Sequence, residues 1–226
     1  SVIIVNYNNK NYIRRCINSI KAQKYKSVET IFVDDQSKDK SLKVIKTFNN
    51  IKIIKTRPKT KYGSFNQINA YYEGFLETKG DVIFFLDSDD FFSKNKINKI
   101  MDLYIKNKKI NILFDLPIFL LGKKKIKKNF KQKNFILSSW PRFSPQSCIS
   151  LRRNYASQIF KISKIKKYPN IWFDFRIAVY SFLIYKKLDI IKNYLTYYRI
   201  TKNSASSKFK TFNKDWWIRR NEAHDY

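Results

Sequence analysis

The densest group of side chains able to do chemistry is an acidic turn, Asp87-Ser88-Asp89-Asp90, which directly follows the apolar run at residues 82–86. Carboxylates placed this close together repel one another, so the group is costly unless a cation or hydrogen-bond donors compensate. Oxygen ligands at this density suit Mg²⁺ or Mn²⁺, which typically bridges a few protein oxygens to substrate phosphates. The alternative is a strand end with a helix N-cap at Asp90 or Ser93. Taken alone, the acidic turn does not decide between a metal site and a cap.

Two further polar groups also follow short apolar runs. Asn6-Tyr7-Asn8 comes after residues 2–5, and Asp34-Asp35 comes after residues 28–33. Helical patterns separate these runs, and strand–helix alternation with wholly apolar strands predicts a doubly wound α/β sheet. Ligands on such sheets bind beyond the carboxyl ends of the strands. We therefore expect the three polar groups to border one crevice.

The elements that must position these groups follow from apolar spacing and from capping residues. The first half predicts a third strand at 51–54 and helices over 12–20, from Ser37 to 48, and through 68–76 with an end at Gly80. The second half predicts helices over 95–106, 152–161 and 176–187, and strands over 110–119, 147–151 and 195–199. The lysine-rich run 123–128 after Gly122 predicts an exposed hairpin. A solvated turn is the favoured interpretation of this run, and contact with lipid headgroups is a less favoured alternative.

The order and spacing of the three polar groups resemble the GT-A glycosyltransferases of family 2. Those enzymes carry a Val-Tyr-Asn turn, a Val-Asp-Asp-Gly-Ser turn, and the segment Gly-Asp/Glu-x-Ile-x-Phe-Leu-Asp-x-Asp-Asp, to which residues 5–8, 33–37 and 80–90 correspond here. The resemblance implies a GT-A fold with a mostly parallel central sheet and helices on both faces. It implies one domain over 1–226, with a nucleotide-sugar donor half at 1–104 and an acceptor half at 105–226.

The resemblance also implies roles for individual residues. Tyr7 and Asp35 would hold the nucleotide base, with Asp34 nearby, while Asp89 would ligate a metal that bridges the donor diphosphate. The departing nucleoside diphosphate develops charge, which a divalent ion offsets as a Lewis acid. The donor-binding residues implied in this way are Val5, Tyr7, Asn8, Asp34, Asp35, Arg57, Lys61, Asp87 and Ser88. The implied ligands of Mn²⁺ or Mg²⁺ are Asp89 and Asp87.

The second half carries a weaker likeness. Family members place a catalytic carboxylate before a helix, and here Asp174 stands in the segment Trp172-Phe173-Asp174-Phe175-Arg176. By resemblance, Asp174 is the candidate general base that deprotonates the acceptor hydroxyl, and its aromatic surroundings would raise its pKa by desolvation. The alternatives are an N-cap for the following helix or an ion-pair partner of Arg176.

Three positions depart from the family pattern, so a second function stays open. Gln36 replaces a glycine, and Tyr72 stands where an asparagine is expected, which makes Arg57 and Lys61 replacement candidates for the diphosphate contacts. Thr201 stands where a histidine often follows the Tyr-Arg pair at 198–199, which puts a third metal contact in doubt. The second hypothesis is therefore a catalytically inactive module that still binds a nucleotide sugar.

Composition leaves a third hypothesis open. Lys+Arg 47 against Asp+Glu 17 gives a net charge of +30, enough to attract polyanions. Because lysine is spread through every segment, a solvated basic surface is favoured over a specific nucleic-acid site, and anionic lipid headgroups are natural partners. A nucleotidyltransferase would usually carry a glycine-rich phosphate loop near the N-terminus, which this sequence does not have. The two cysteines, Cys16 and Cys148, show neither disulfide nor zinc spacing, as expected in a reducing cytosol.

These observations predict an inverting, metal-dependent glycosyltransferase that uses a nucleotide-diphosphate sugar, with UDP-sugar as the leading donor. A glycan or lipid-linked molecule is the expected acceptor, and synthesis of surface polysaccharide is the expected setting. The expected location is the cytoplasm, with peripheral contact at the inner face of the cell membrane. The sequence shows no signal-peptide pattern, and its start without methionine is interpreted as excision from a longer protein.

Overall fold

The structure is a computed structural model, and it describes residues 1–57, 60–128, 141–163, 167–201 and 209–226. Within these residues the strands are β1 Val2–Asn6, β2 Thr30–Asp34, β3 Lys52–Lys55, β4 Val82–Asp87, β5 Phe91–Phe92, β6 Ile112–Leu121, β7 Lys124–Lys127, β8 Ile149–Arg152 and β9 Ile190–Arg199. The helices are α1 Ile13–Lys21, α2 Ser41–Ile45, α3 Gly63–Leu76, α4 Lys96–Lys106, α5 Arg153–Ser163, α6 Phe173–Tyr185 and α7 Lys214–Asp225. A 3₁₀ turn, Gln146–Cys148, precedes β8.

One sheet runs through both halves of the chain. Its strand order is β3-β2-β1-β4-β8-β6-β9-β5, and β7 pairs with β6 over Ile118–Leu121, beyond the residues of β6 that pair with β8. Strands β1 to β4 are parallel, because each returns through a helix that crosses over the sheet, whereas the short β5 pairs antiparallel with β9. Beyond β4 the sheet is mixed: β6 and β9 are parallel, whereas β8 is antiparallel to both β4 and β6. The predicted α/β class is confirmed, with parallel pairing concentrated in the donor half.

Two apolar layers cover the two faces of the sheet, as predicted. One layer packs Ile3 and Phe85 of the sheet against α3, α5 and α6. The other packs Ile4 and Phe84, which point to the opposite face, against α1, α2 and α4. Alternating residues of the buried strands thus serve different layers, which is why these strands are apolar without a break. Cys16 is buried in the second layer, as the helical spacing predicts.

Close packing of α3 against the sheet sets the position of one side of the crevice. Gly74 lies so near β1 and β2 that an added Cβ would be 2.5 Å from Ile3 Cγ2 and 2.9 Å from Val33 Cγ2. Glycine is needed here for close approach, since no larger side chain fits without moving the helix. The helix ends at Leu76, short of the predicted end at Gly80.

The second half differs from the sequence prediction mainly at element ends. The strand predicted at 195–199 begins earlier, at Ile190, and the segment predicted as a strand from 147 opens with the 3₁₀ turn. The helix predicted from Arg176 begins at Phe173, which places Asp174 in its first turn. The hairpin predicted around Gly122 is confirmed by the β6–β7 pairing, and Gly122 adopts a φ of +58° that favours glycine.

Candidate active site

The acidic turn sits where β4 leaves the sheet beside β1. Ser88 N donates to Val5 O at 3.0 Å, and Ser88 Oγ donates to Asn6 Oδ1 at 2.8 Å. Asn9 Nδ2 donates to the same Ser88 oxygen at 3.0 Å. The Ser88 side chain is fully buried, so its observed part in the site is to shape the acidic turn. Val5 likewise contributes a backbone oxygen within the sheet.

Asn6 joins the acidic turn to the aspartate pair after β2. Its Nδ2 donates to Asp34 Oδ1 and to Ser37 Oγ, both at 2.9 Å, while its Oδ1 accepts from Ser88. The second Asp34 oxygen accepts from Ser37 N at 3.0 Å. Asn6 and Asp34 are both buried, so Asp34 serves to hold the turn. The sequence contained Asn6 in a polar group, but its bridging role depends on strand neighbours that only the fold reveals.

Asp35 faces a different environment from Asp34. Its Oδ1 accepts from Thr56 Oγ1 at 2.8 Å, and it borders a cavity of about 620 Å³ between the sheet and α3. Arg57, Asn66 and Asn69 are among the other residues that line this cavity. A cavity of this size suits a small organic group such as a nucleoside. The lining residues do not include Asp87, Asp89 or Asp174, so the cavity adjoins the acidic turn without containing it.

The remaining predicted donor contacts lie in the loops above β1 and β3. Asn8, at a φ of +55°, accepts from Lys38 N at 2.7 Å and so ties the β1 loop to the β2 loop. Tyr7 is 51% exposed beside it. Lys61 is exposed, with its Nζ 5.1 Å from the ring centroid of Tyr62. It is not among the cavity's described lining residues, whereas Arg57 is.

Tyr71 is a site residue that sequence reasoning missed. Its hydroxyl donates to Asp87 Oδ1 at 2.8 Å, and its fully buried ring packs against Phe85 and Phe173. The spacing of α3 placed Tyr71 on the buried face, where it reads as a core aromatic. A buried tyrosine hydroxyl nearly always has a polar partner, and that was the available signal.

The carboxylates of the acidic turn have raised pKa values, because burial and their mutual repulsion disfavour the ionised forms. Burial and the neighbouring charge of Asp89 together raise the pKa of Asp87 to about 7, against the lowering effect of the Tyr71 hydrogen bond. Burial also raises the pKa of Asp89 and that of Asp90, and the charges of Asp87 and Asp89 add to the rise at Asp90. A cation placed here would relieve this repulsion.

Two of these carboxylates fit a divalent cation. Asp90 is already engaged, since it accepts from Ser147 Oγ at 2.6 Å and from Arg199 N at 2.7 Å. Asp87, whose Oδ1 accepts from the Tyr71 hydroxyl, and Asp89 are the other two carboxylates of the turn. Mg²⁺ or Mn²⁺ is often held by one or two carboxylates plus substrate phosphates. Among the described residues no three His, Cys, Asp or Glu side chains are grouped to hold a metal by themselves. Asp87 and Asp89 would therefore hold such a cation only together with further oxygen ligands, such as substrate phosphates.

Asp174 lies in the first turn of α6, close enough to the acidic turn for its charge to act on Asp87. Its charge raises the pKa of Asp87, and both carboxylates raise the pKa of Tyr198. Burial raises the pKa of Asp174 itself, while the charge of Arg219 and a hydrogen bond from Phe175 N at 2.8 Å lower it. The arrangement places a carboxylate that can accept a proton across from the predicted metal ligands.

Asp174 is neither the N-cap of α6 nor the ion-pair partner of Arg176, the two alternatives that the sequence left open. The N-cap of α6 is Trp172, so Asp174 is inside the helix. Arg176 is buried and donates instead to backbone oxygens, at 2.6 Å to Lys167 O and 2.9 Å to Tyr168 O.

Helix α7 supplies a further residue that the sequence did not indicate. Arg219 lies close enough to Asp174 and Tyr198 for their charges to act on its pKa, which burial lowers. The helix is fixed at Glu222, which accepts from Asn170 N and Asn170 Nδ2, both at 2.7 Å. No pattern around residues 216–220 marks a partner 45 residues earlier in the chain. The segment Ser204-Ala205-Ser206, which follows Thr201 closely in the sequence, lies outside the described residues.

In the part of the chain that the structure describes, every helix is too short or too polar to cross a bilayer.

Comparisons with known proteins identify the family of the chain. The model of the family described as "Glycosyl transferase family 2" matches residues 1–160. An uncharacterized glycosyltransferase of Nostoc, alr2836, is 31% identical over 211 residues, which cover 88% of this chain and 64% of the relative. The poly(ribitol-phosphate) beta-N-acetylglucosaminyltransferase TarP of Staphylococcus aureus is 26% identical over 219 residues, covering 95% of this chain and 66% of TarP.

Among solved structures, S. aureus TarS 1–349 in complex with UDP-GlcNAc has a TM-score of 0.67 at 16% sequence identity. The match covers 99% of this chain and 65% of that chain, and it confirms the predicted GT-A fold. The chain therefore spans about two thirds of the length of the Nostoc relative and of TarS 1–349. With a family model over more than half of its residues and the site built from the motifs of that family, the chain belongs to glycosyl transferase family 2.

Proposed function

We propose that this chain transfers a sugar from a UDP-sugar to an acceptor hydroxyl, with inversion at the anomeric carbon and with help from Mn²⁺ or Mg²⁺. One observation carries the proposal: hydrogen bonds of Asn6 join the polar ends of β1, β2 and β4, and Asp174 is close enough for its charge to act on Asp87. Direct displacement by an acceptor oxygen on the side opposite the departing diphosphate inverts the anomeric centre.

The donor half offers separate places for the base and the diphosphate. Asp35, Arg57 and Asn66 border the 620 Å³ cavity, which suits the nucleoside, with Tyr7 exposed at the adjoining loop. Asp87 and Asp89 would hold the divalent cation, which as a Lewis acid offsets the charge of the departing diphosphate. That TarS was solved with UDP-GlcNAc supports a UDP-sugar as the donor class.

The acceptor half offers one carboxylate for proton transfer. Burial raises the pKa of Asp174, which makes its carboxylate a better proton acceptor than an exposed aspartate. The charge of Arg219 opposes this rise and so favours the ionised form of the carboxylate. In the proposed reaction Asp174 takes the proton from the acceptor hydroxyl as that oxygen attacks the sugar.

The acceptor is proposed to be a glycan or a lipid-linked molecule at the inner face of the cell membrane. The name of TarP specifies a poly(ribitol-phosphate) acceptor, and the similarity supports synthesis of a surface polymer. A net charge of +30 favours peripheral contact with anionic lipids from the cytoplasm. Nucleic acid is not a proposed partner.

An inactive module that binds nucleotide sugars remains the second candidate, because Thr201 stands where a histidine is expected. The test is release of UDP from a panel of nucleotide sugars with Mn²⁺ or Mg²⁺, comparing the native chain with Asp89→Ala. Asp102→Ala, which removes an exposed carboxylate on α4, is the matched control. We expect metal-dependent release from one donor, lost in Asp89→Ala and kept in Asp102→Ala.

The same samples should be tested for binding of UDP with the metal. Binding without release, even with candidate acceptors present, would support the inactive module. Absence of both binding and release would refute the transferase and the module together. Retention on an anionic polymer that weakens steeply with salt, in a protein without UDP binding, would support a nucleic-acid-binding function instead.

A further inference from the structure

A buried ion pair lies directly beneath the candidate active site. Lys96, in the first turn of α4, and Asp115, in the middle of β6, are both fully buried, with Lys96 Nζ 2.6 Å from Asp115 Oδ2. Burying a lysine and an aspartate requires that each charge be compensated, because desolvation of either ion is costly. The neighbours that provide this compensation show what the pair does.

Lys96 makes two hydrogen bonds besides the ion pair. Its ammonium donates to Ser147 O and to Thr196 Oγ1, each at 2.7 Å, and lies 4.1 Å from the ring centroid of Phe92. Thr196 Oγ1 in turn donates to Asp115 Oδ1 at 2.7 Å. One charged group therefore joins α4, β6, β9 and the 3₁₀ turn before β8.

Ser147 connects this network to the acidic turn. Its hydroxyl accepts from Asp87 N at 3.0 Å and donates to Asp90 Oδ2 at 2.6 Å. The hydroxyl therefore contacts the first and the last residue of the acidic turn, while the carbonyl of the same residue accepts from Lys96. Ser147 is fully buried, so water does not substitute for these partners.

Stability alone is a weak reason for such a pair. Replacing a buried ion pair by well-packed apolar residues is often neutral or stabilising. A charged network does give directional hydrogen bonds, which fix the relative positions of the segments that it joins. The segment fixed here is the one that carries both predicted metal ligands, Asp87 and Asp89.

We propose that Lys96 and Asp115 are positioning residues for the donor site, acting through Ser147. Lys96 holds the Ser147 carbonyl, and the Ser147 hydroxyl then sets the backbone of Asp87 and the carboxylate of Asp90. The acidic turn is thereby held in the conformation that presents Asp87 and Asp89 to the cation and diphosphate. The expected effect of these residues on donor binding rests on the proposed function. The coupling of Lys96 to the acidic turn through Ser147 does not depend on that function.

The test uses Ser147→Ala, Lys96→Met and the double variant. The matched control is Ser181→Ala, which removes another fully buried hydroxyl, one that donates to Ile177 O and lies on α6 away from the acidic turn. Binding of UDP with Mn²⁺ is measured for each protein. Hydrogen exchange is measured at the Asp87 amide and, as a reference for global opening, at the Ile4 amide in the centre of the sheet.

We expect Ser147→Ala and Lys96→Met each to weaken UDP–Mn²⁺ binding about tenfold, the effect of one lost hydrogen bond to a charged group. The double variant should bind no more weakly than Lys96→Met, because the two residues act in series. Exchange at Asp87 should accelerate more than exchange at Ile4. Ser181→Ala should change neither the affinity nor the ratio of the two exchange rates.

Equal acceleration at Asp87 and Ile4, with unchanged affinity for UDP, would show that the network only stabilises the fold. Additive effects in the double variant would show that Lys96 does not act through Ser147. If the native chain fails to bind UDP, the proposed function fails, and the exchange at Asp87 still decides whether the coupling exists. Should Lys96→Met not fold, Asp115→Asn takes its place in the single and the double variant, because it removes the charge that holds Lys96 and leaves Ser147 in place.

Discussion

Replacing Tyr71 with phenylalanine is expected to move the pH dependence of donor binding while leaving the donor site in place. The substitution keeps the ring that packs against Phe85 and Phe173 and removes only the hydroxyl that donates to Asp87. That hydrogen bond favours the ionised form of Asp87, so its loss raises a pKa that already stands at about 7.

The size of the shift follows from the energy of the lost hydrogen bond. A hydrogen bond to a charged group contributes about 1.5–3 kcal/mol, which corresponds to about 1–2 pKa units. The pKa of Asp87 in Tyr71→Phe is therefore expected at about 8–9. Because a proton on Asp87 competes with the cation, the apparent dissociation constant rises as the pH falls below this pKa. For a shift of about 1.5 units, binding should weaken about 20-fold at about pH 6.5 and less than about twofold at about pH 9.

The assay is calorimetric titration of UDP with Mg²⁺ across this pH range, on the native chain and on Tyr71→Phe. Tyr104→Phe is the matched control, since Tyr104 is also buried and its hydroxyl donates to Ser150 O at 2.8 Å, at the opposite face of the sheet. The control should lose stability without moving the pH profile. Profiles with the same midpoint for Tyr71→Phe and the native chain would refute the assigned link between Tyr71 and Asp87.

Three further outcomes are expected. Asp174→Asn should lower the rate of sugar transfer about 10²–10⁴-fold with UDP binding unchanged, measured by steady-state kinetics, and weakened binding would contradict its role as base. Gly74→Ala should reduce the free energy of unfolding by about 1–3 kcal/mol in urea titrations, because the new methyl group meets Ile3; an unchanged value would contradict the close packing of α3. Without a divalent cation, the melting temperature should fall as the pH rises from about 4 to about 7, because Asp87 ionises more readily in the unfolded chain. Asp87→Asn should lessen that fall, and an equal fall in both proteins would assign it to other groups.

Most of the donor half could be predicted because its signals are local. The apolar runs before Asn6, Asp34 and Asp87 specified buried parallel strands, and the geometry of such a sheet brings their carboxyl ends to one edge. The different roles of neighbouring residues within each of the three polar groups could not be predicted. Asp34 and Asp35 are neighbours of the same type, yet one holds a turn and the other borders the cavity, because the pleat points them in different directions.

The acceptor half was harder because its contacts join distant segments. The sequence suggested Asp174 by resemblance, but Arg219 reaches it only because α7 folds back over α6. Antiparallel pairing of β8 between β4 and β6 was not visible either, since strand order depends on packing and not on any one strand's composition.

The sequence by itself determined the α/β class, the family and the three polar groups, because periodicity and short motifs are properties of neighbouring residues. Only the tertiary structure decided which side chains and backbone groups hold each carboxylate of the acidic turn. Asp90 is held by Ser147 and Arg199, and Asp87 is held by Tyr71, through contacts between residues far apart in the chain. Such contacts depend on where the sheet and α3 place each side chain, and no local pattern records that placement.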